Sequence, residues 1–134
     1  MFIERLLNQG NAPILQQAVR FAASRHKLLA EDIANVSTPG YQQKDLSVGR
    51  FQEMLRQRVA QRDHAPRGSV AFDDIRGQID LSSAGGIVFH DRNNRSMEQL
   101  MTDSASNALY HNMMMELLRK QYASIDTALK ERIA

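Results

Sequence analysis

The sequence predicts a mainly α fold: long N- and C-terminal helices paired as a coiled-coil-like hairpin, with an irregular or short-β middle segment. Three observations lead there. Apolar residues recur at alternating steps of three and four in two separate stretches. No Gly or Pro interrupts the chain from Met97 to Ile133. Between the two stretches, Pro66, Gly68, Gly77, Gly85 and Gly86 break any long periodicity.

In residues 1–12, Phe2, Ile3, Leu6 and Leu7 stand at helical spacing before Gly10, Asn11 and Pro13 break the pattern. This short amphipathic segment is expected to order when a partner meets it. The unit 13–61 opens with a helix over about 13–36. Pro13 suits its first turn, where a missing N–H costs little. Leu15, Ala22, Leu29 and Val36 recur every seven residues, and Val19, His26 and Ile33 fall four after the first three. That alternation is the seam of a coiled coil or long helical hairpin. Pro39 disfavours helical geometry in the residue before it, and Pro39-Gly40 suits a tight turn, so the chain should corner there. A second helix is expected from Ser47, a possible N-cap, to about Gln61, with Phe51, Met54, Leu55 and Val59 on one face.

Residues 62–95 are read as irregular. Val70/Phe72, Ile79/Leu81 and Ile87/Phe89 alternate over short spans, and Gly85-Gly86 could close a hairpin. The unit 96–134 is a long helix. Ser96 with Gln99 forms a capping-box pattern. Met101, Ala108, Met115, Tyr122 and Leu129 make one heptad series; Met97, Ser104, His111, Leu118 and Ile125 make the other. A helix of about 37 residues is roughly 55 Å long, far beyond the globular average.

The composition excludes several chemistries. The chain has no Cys, which removes disulfides, thiol nucleophiles and thiolate-bound zinc. Its apolar runs are far shorter than a membrane span, and its N-terminus does not read as a cleaved secretory signal. A net charge of +2 names no partner. Arg50, Arg56, Arg58, Arg62 and Arg67 cluster, but Glu53 and Asp63 interrupt them and no aromatics interleave, so a solvated face is expected rather than a nucleic-acid footprint. His26 and His111 lie on the two seams and invite a zinc reading; packed seam histidines are the commoner case. Ser82, Ser83, His90 and Asp91 show no nucleophile elbow, and Gly85-Gly86 lacks the lysine and helix start of a phosphate loop. The run Met113-Met114-Met115 cannot converge on one ion, because consecutive helical residues point about 100° apart. No catalytic, cofactor-binding or metal residues are assigned, and no small-molecule substrate is expected.

One motif is specific. Leu29 to Tyr41 closely resembles the signature of bacterial flagellar axial proteins, carried here by Ala34, Asn35, Thr38, Pro39, Gly40 and Tyr41. Within that group the chain resembles proximal rod proteins of the FlgB type. It shares their order of motif helix, irregular middle and terminal helix, and Asp91-Arg92-Asn93-Asn94 is similar to their lead-in to the last helix. Arg92 departs from a common Gly, and His111 from a common Tyr. The resemblance implies a structural subunit of the periplasmic rod of the flagellum basal body, exported by the flagellar type III path without a cleaved signal. It implies contacts with other rod proteins, with copies of itself, and with basal-body components at the inner-membrane ring and export gate, including a FliE-like adaptor. It also implies that the helical seams are the assembly surface. The competing reading, carried by the seams without the motif, is a soluble helical adaptor that binds a partner helix in a groove.

Overall fold

The computed structural model describes residues 10–66, 70–72, 75, 88–90 and 95–133. Its helices are α1 (Ala12–Ala34), α2 (Val48–His64) and α3 (Met97–Ile133). Two short strands, β1 (Lys44–Leu46) and β2 (Val88–His90), complete the described elements.

Helix α1 is the centre of the molecule. Along it, Gln16 donates to Tyr122, the carbonyl of Ala22 accepts from Asn107, and Asp32 faces Arg95. Partner numbers fall as α1 advances, so α1 and α3 are antiparallel. On another side of α1, the rings of Phe21 and Phe51 stack at 4.1 Å, and Arg62 donates to the carbonyl of Gly10 at 2.6 Å. Helix α2 is therefore also antiparallel to α1. The core gathers Ala18, Phe21, Leu28, Leu46, Phe51, Phe72 and Ile75, with Ile14, Met54, Leu55, Tyr110 and Met114 packed on it.

The helix ends follow local chemistry. Helix α1 begins at Ala12, with Pro13 in its first turn as expected, and stops at Ala34 rather than Val36. Asn35 ends it, because its side-chain amide donates to the carbonyl of Glu31 at 2.8 Å and offers the last turn a capping partner. Helix α2 starts with the Ser47 hydroxyl accepting from the N–H of Arg50. It runs past Gln61 to His64; Pro66 then holds Ala65 in extended geometry. Helix α3 has the expected bounds, and its capping box is formed. The Ser96 N–H donates to Gln99 at 3.1 Å and the Gln99 N–H to Ser96 at 3.3 Å.

The β reading needs correction. Strand β2 pairs with β1, a partner the sequence reading did not give it, in the antiparallel register Lys44↔His90, Asp45↔Phe89 and Leu46↔Val88. Val70–Phe72 is irregular rather than a strand. Phe72 is a core residue whose carbonyl accepts from the Ile75 N–H. Ile79, Leu81 and the Gly85-Gly86 turn lie outside the described residues.

Candidate assembly corner and helix seam

The corner after α1 is a closed set of hydrogen bonds. The Thr38 N–H donates to the Asn35 carbonyl at 2.9 Å and its hydroxyl to the Asn35 side chain at 3.2 Å. The Tyr41 N–H closes on the Thr38 carbonyl at 3.3 Å. Pro39 pre-sets the second position of this turn, and Gly40 takes the third with φ +74°, where a side chain is strained. The chain reverses, and the Tyr41 hydroxyl donates to Asp32 at 3.0 Å. Asn35, Thr38, Pro39, Gly40 and Tyr41 thus share one local device. Ala34 is exposed on the last helical turn and takes no part in it.

Beneath the corner lies a charged network absent from the sequence reading. Asp32 is fully buried and Asp45 nearly so. Arg25 binds Asp45 with two bonds, at 2.9 and 3.1 Å. Arg95 reaches Asp45 at 3.0 Å, Asp103 at 2.6 Å and Asp32 at 3.5 Å. The side chain of Gln43 brackets the Arg95 backbone, accepting from its N–H at 2.8 Å and donating to its carbonyl at 3.0 Å. The N–H groups of Lys44 and Leu46 donate to Asp32 and Asp45. Burial pushes the Asp32 carboxyl above the usual range; the Lys44 N–H, the Tyr41 hydroxyl and Arg95 pull the other way. Burial and the Asp32 hydrogen bond push the Tyr41 phenol up to about 12.

Along the seam, Ala22 and Leu29 are fully buried, while Leu15, Val19 and Ile33 are half-buried. Val36 is half-buried but lies in the turn. On α3, Ala108, Met115, Leu118, Ile125 and Leu129 are half-buried, whereas Met101 and Tyr122 are exposed. The deepest positions of α3 are Leu100 and Asn107, each one residue before a predicted position. His26 is exposed and His111 half-buried. Among the described residues, no group of three or more His, Cys, Asp or Glu could hold a metal ion, and no helix is long and apolar enough to cross a membrane.

Sequence reasoning missed Asp32, Asp45, Arg95, Gln43 and Asn107. The available signal was a charged residue on an apolar face: Asp32 falls four residues after Leu28, on the side of α1 that carries Phe21.

The chain is 25% identical over 126 residues to the flagellar basal body rod protein FlgB of Bacillus subtilis (strain 168), covering 92% of this chain and 95% of that protein. It is 29% identical over 127 residues to the protein of the same name from Salmonella typhimurium (strain LT2), covering 86% of this chain and 89% of the relative. Over most of its length the chain is similar to FlgB rod proteins. No family model matches the chain, and no solved structure does.

Proposed function

We propose that the chain is a structural subunit of the flagellar basal-body rod, in its proximal part, and that it performs no catalysis. The nearly full-length likeness to two FlgB rod proteins carries this reading. The geometry supports it. Leu109, Met113 and Leu117 stand four residues apart and are 72%, 54% and 41% exposed. At about 100° per residue they lie about a third of a turn from the Leu100–Asn107 line. An exposed apolar ridge of this kind marks a surface made for a neighbour.

In the assembled rod, the α1–α3 pair forms the wall, with the seam residues as its joint. Subunits meet through unlike surfaces, and such contacts do not close, so the stack propagates as a helix. Helix α3 continues for about 18 Å past Gln121, which lies beside Gly10 just before α1. Residues 1–12 are assigned to contact with a neighbouring subunit. The unit 13–61 sets the wall helix and its corner. The partners are copies of the chain, other rod proteins, and inner-membrane-ring and export-gate components such as a FliE-like adaptor. The export route is the flagellar type III path.

Deletion of the gene from its bacterium is the direct test. The strain is expected to lack a complete rod and to be non-motile, with motility restored by the gene supplied in trans. Normal swimming on intact basal bodies would refute the proposal.

A further inference from the structure

The charged network beneath the corner has a shape that suggests a mechanical role. Its carboxylates come from three elements: Asp32 from α1, Asp45 from β1 and Asp103 from α3. One residue, Arg95, reaches all three. Arg25, on α1, adds a second cation but binds Asp45 alone among them. Arg95 is also tied through its backbone, since both its N–H and its carbonyl bond the Gln43 side chain. So the residue just before the cap of α3 is gripped by the stretch Tyr41–Leu46 through side chain and main chain together. The helix pair is held differently, by Ala22, Leu29 and Leu100 at the seam and by the Asn107 bond to the Ala22 carbonyl at 2.8 Å.

We propose that Arg95 is a latch that docks the corner and β1 onto the start of α3 as one unit, independently of the α1–α3 pairing. The physical reason is the sharing of a single partner. Bonds from charged groups are stronger than neutral ones, and a shared guanidinium makes them form or break together. Breaking the latch removes the Arg95 contacts of Asp32, Asp45 and Asp103, while the apolar seam further along α3 is untouched. The held β1 stretch carries its own reporters: the N–H groups of Lys44 and Leu46 donate to Asp32 and Asp45, so their exchange with solvent follows the state of the latch. The inference stands on the fold alone and does not depend on a role in the rod.

The test is amide hydrogen exchange on the full chain in wild type, Arg95→Ala and the milder Asp103→Asn. In Arg95→Ala, protection at Lys44 and Leu46 is expected to fall at least about tenfold, while amides in the middle of α1 and between Leu100 and Leu118 keep wild-type protection. Asp103→Asn, which leaves Arg95 its bonds to Asp45 and Asp32, is expected to give a smaller loss at the same two amides. Wild-type protection at Lys44 and Leu46 in Arg95→Ala would overturn the latch. So would an equal loss throughout both helices, because the corner and the pair would then be one cooperative unit. Loss in Asp103→Asn confined to α3 would overturn it as well.

Discussion

Gly40 offers a clean separation of backbone strain from steric clash. Its φ is +74°, and a Cβ built there meets nothing within 4 Å. Any cost of substitution therefore comes from conformation alone. The left-handed region costs an ordinary residue roughly 1–2 kcal/mol. Replacing Gly also stiffens the unfolded chain, which returns about 0.4–1 kcal/mol. Gly40→Ala is thus expected to lose about 0.5–1 kcal/mol. Gly40→Val is expected to lose about 2 kcal/mol, because β-branched residues resist this region most. Gly40→Asn should fall close to wild type, since Asn tolerates positive φ. Urea denaturation of the three variants, with unchanged slopes, reads these differences directly. The order wild type, Asn, Ala, Val is the prediction. Gly40→Val as stable as wild type, or Gly40→Asn as damaged as Gly40→Val, would refute the conformational account.

Three further outcomes follow from the packing and the charges. Phe51 is the one fully buried residue of α2 among those described and stacks on Phe21, so Phe51→Ala should cost about 3–5 kcal/mol in denaturant melts and expose α2 to exchange first; a loss below about 1 kcal/mol would contradict this. Burial raises the Asp32 carboxyl in the folded state, so the fold holds that proton more tightly than the unfolded chain does. Its share of stability is full below the unfolded value and is lost as pH rises through the folded one. Asp32→Asn keeps an acceptor for Tyr41 and Lys44, and should match or exceed wild-type stability at neutral pH while losing that acid-side gain; melts across pH check both. Tyr41 should resist ionisation until about pH 12, and ultraviolet titration of wild type against Tyr41→Phe should show its phenol missing only from the most alkaline part of the curve.

How legible the molecule was depends on what carried the information. The bounds of α3 could be read because Ser96 and Gln99 cap it and nothing within it breaks a helix. The corner could be read because Pro39 and Gly40 impose geometry locally. The seam was displaced by one residue at the start of α3, for a reason: the reading followed Met101 and Ala108, while the deepest positions are Leu100 and Asn107, the latter a polar residue satisfied by a carbonyl on the other helix. Such a partner is remote in sequence and leaves no periodic trace. The same holds for Arg95 and its carboxylates, and for β1, whose partner strand lies more than forty residues away. Likewise α1 is buried on two sides, so no single stripe describes it. Phe21 faces α2 while Ala22 meets α3.

The central claim is that the antiparallel α1–α3 pair is a wall element of a rod. The most direct measurement is an electron-microscopy reconstruction of basal bodies purified from the source bacterium, resolved well enough to trace helices. The account predicts density in the proximal rod that fits this chain, with α1 against α3 and the corner at Gly40 leaving the wall. A complete rod whose density is fully explained by other subunits would contradict it.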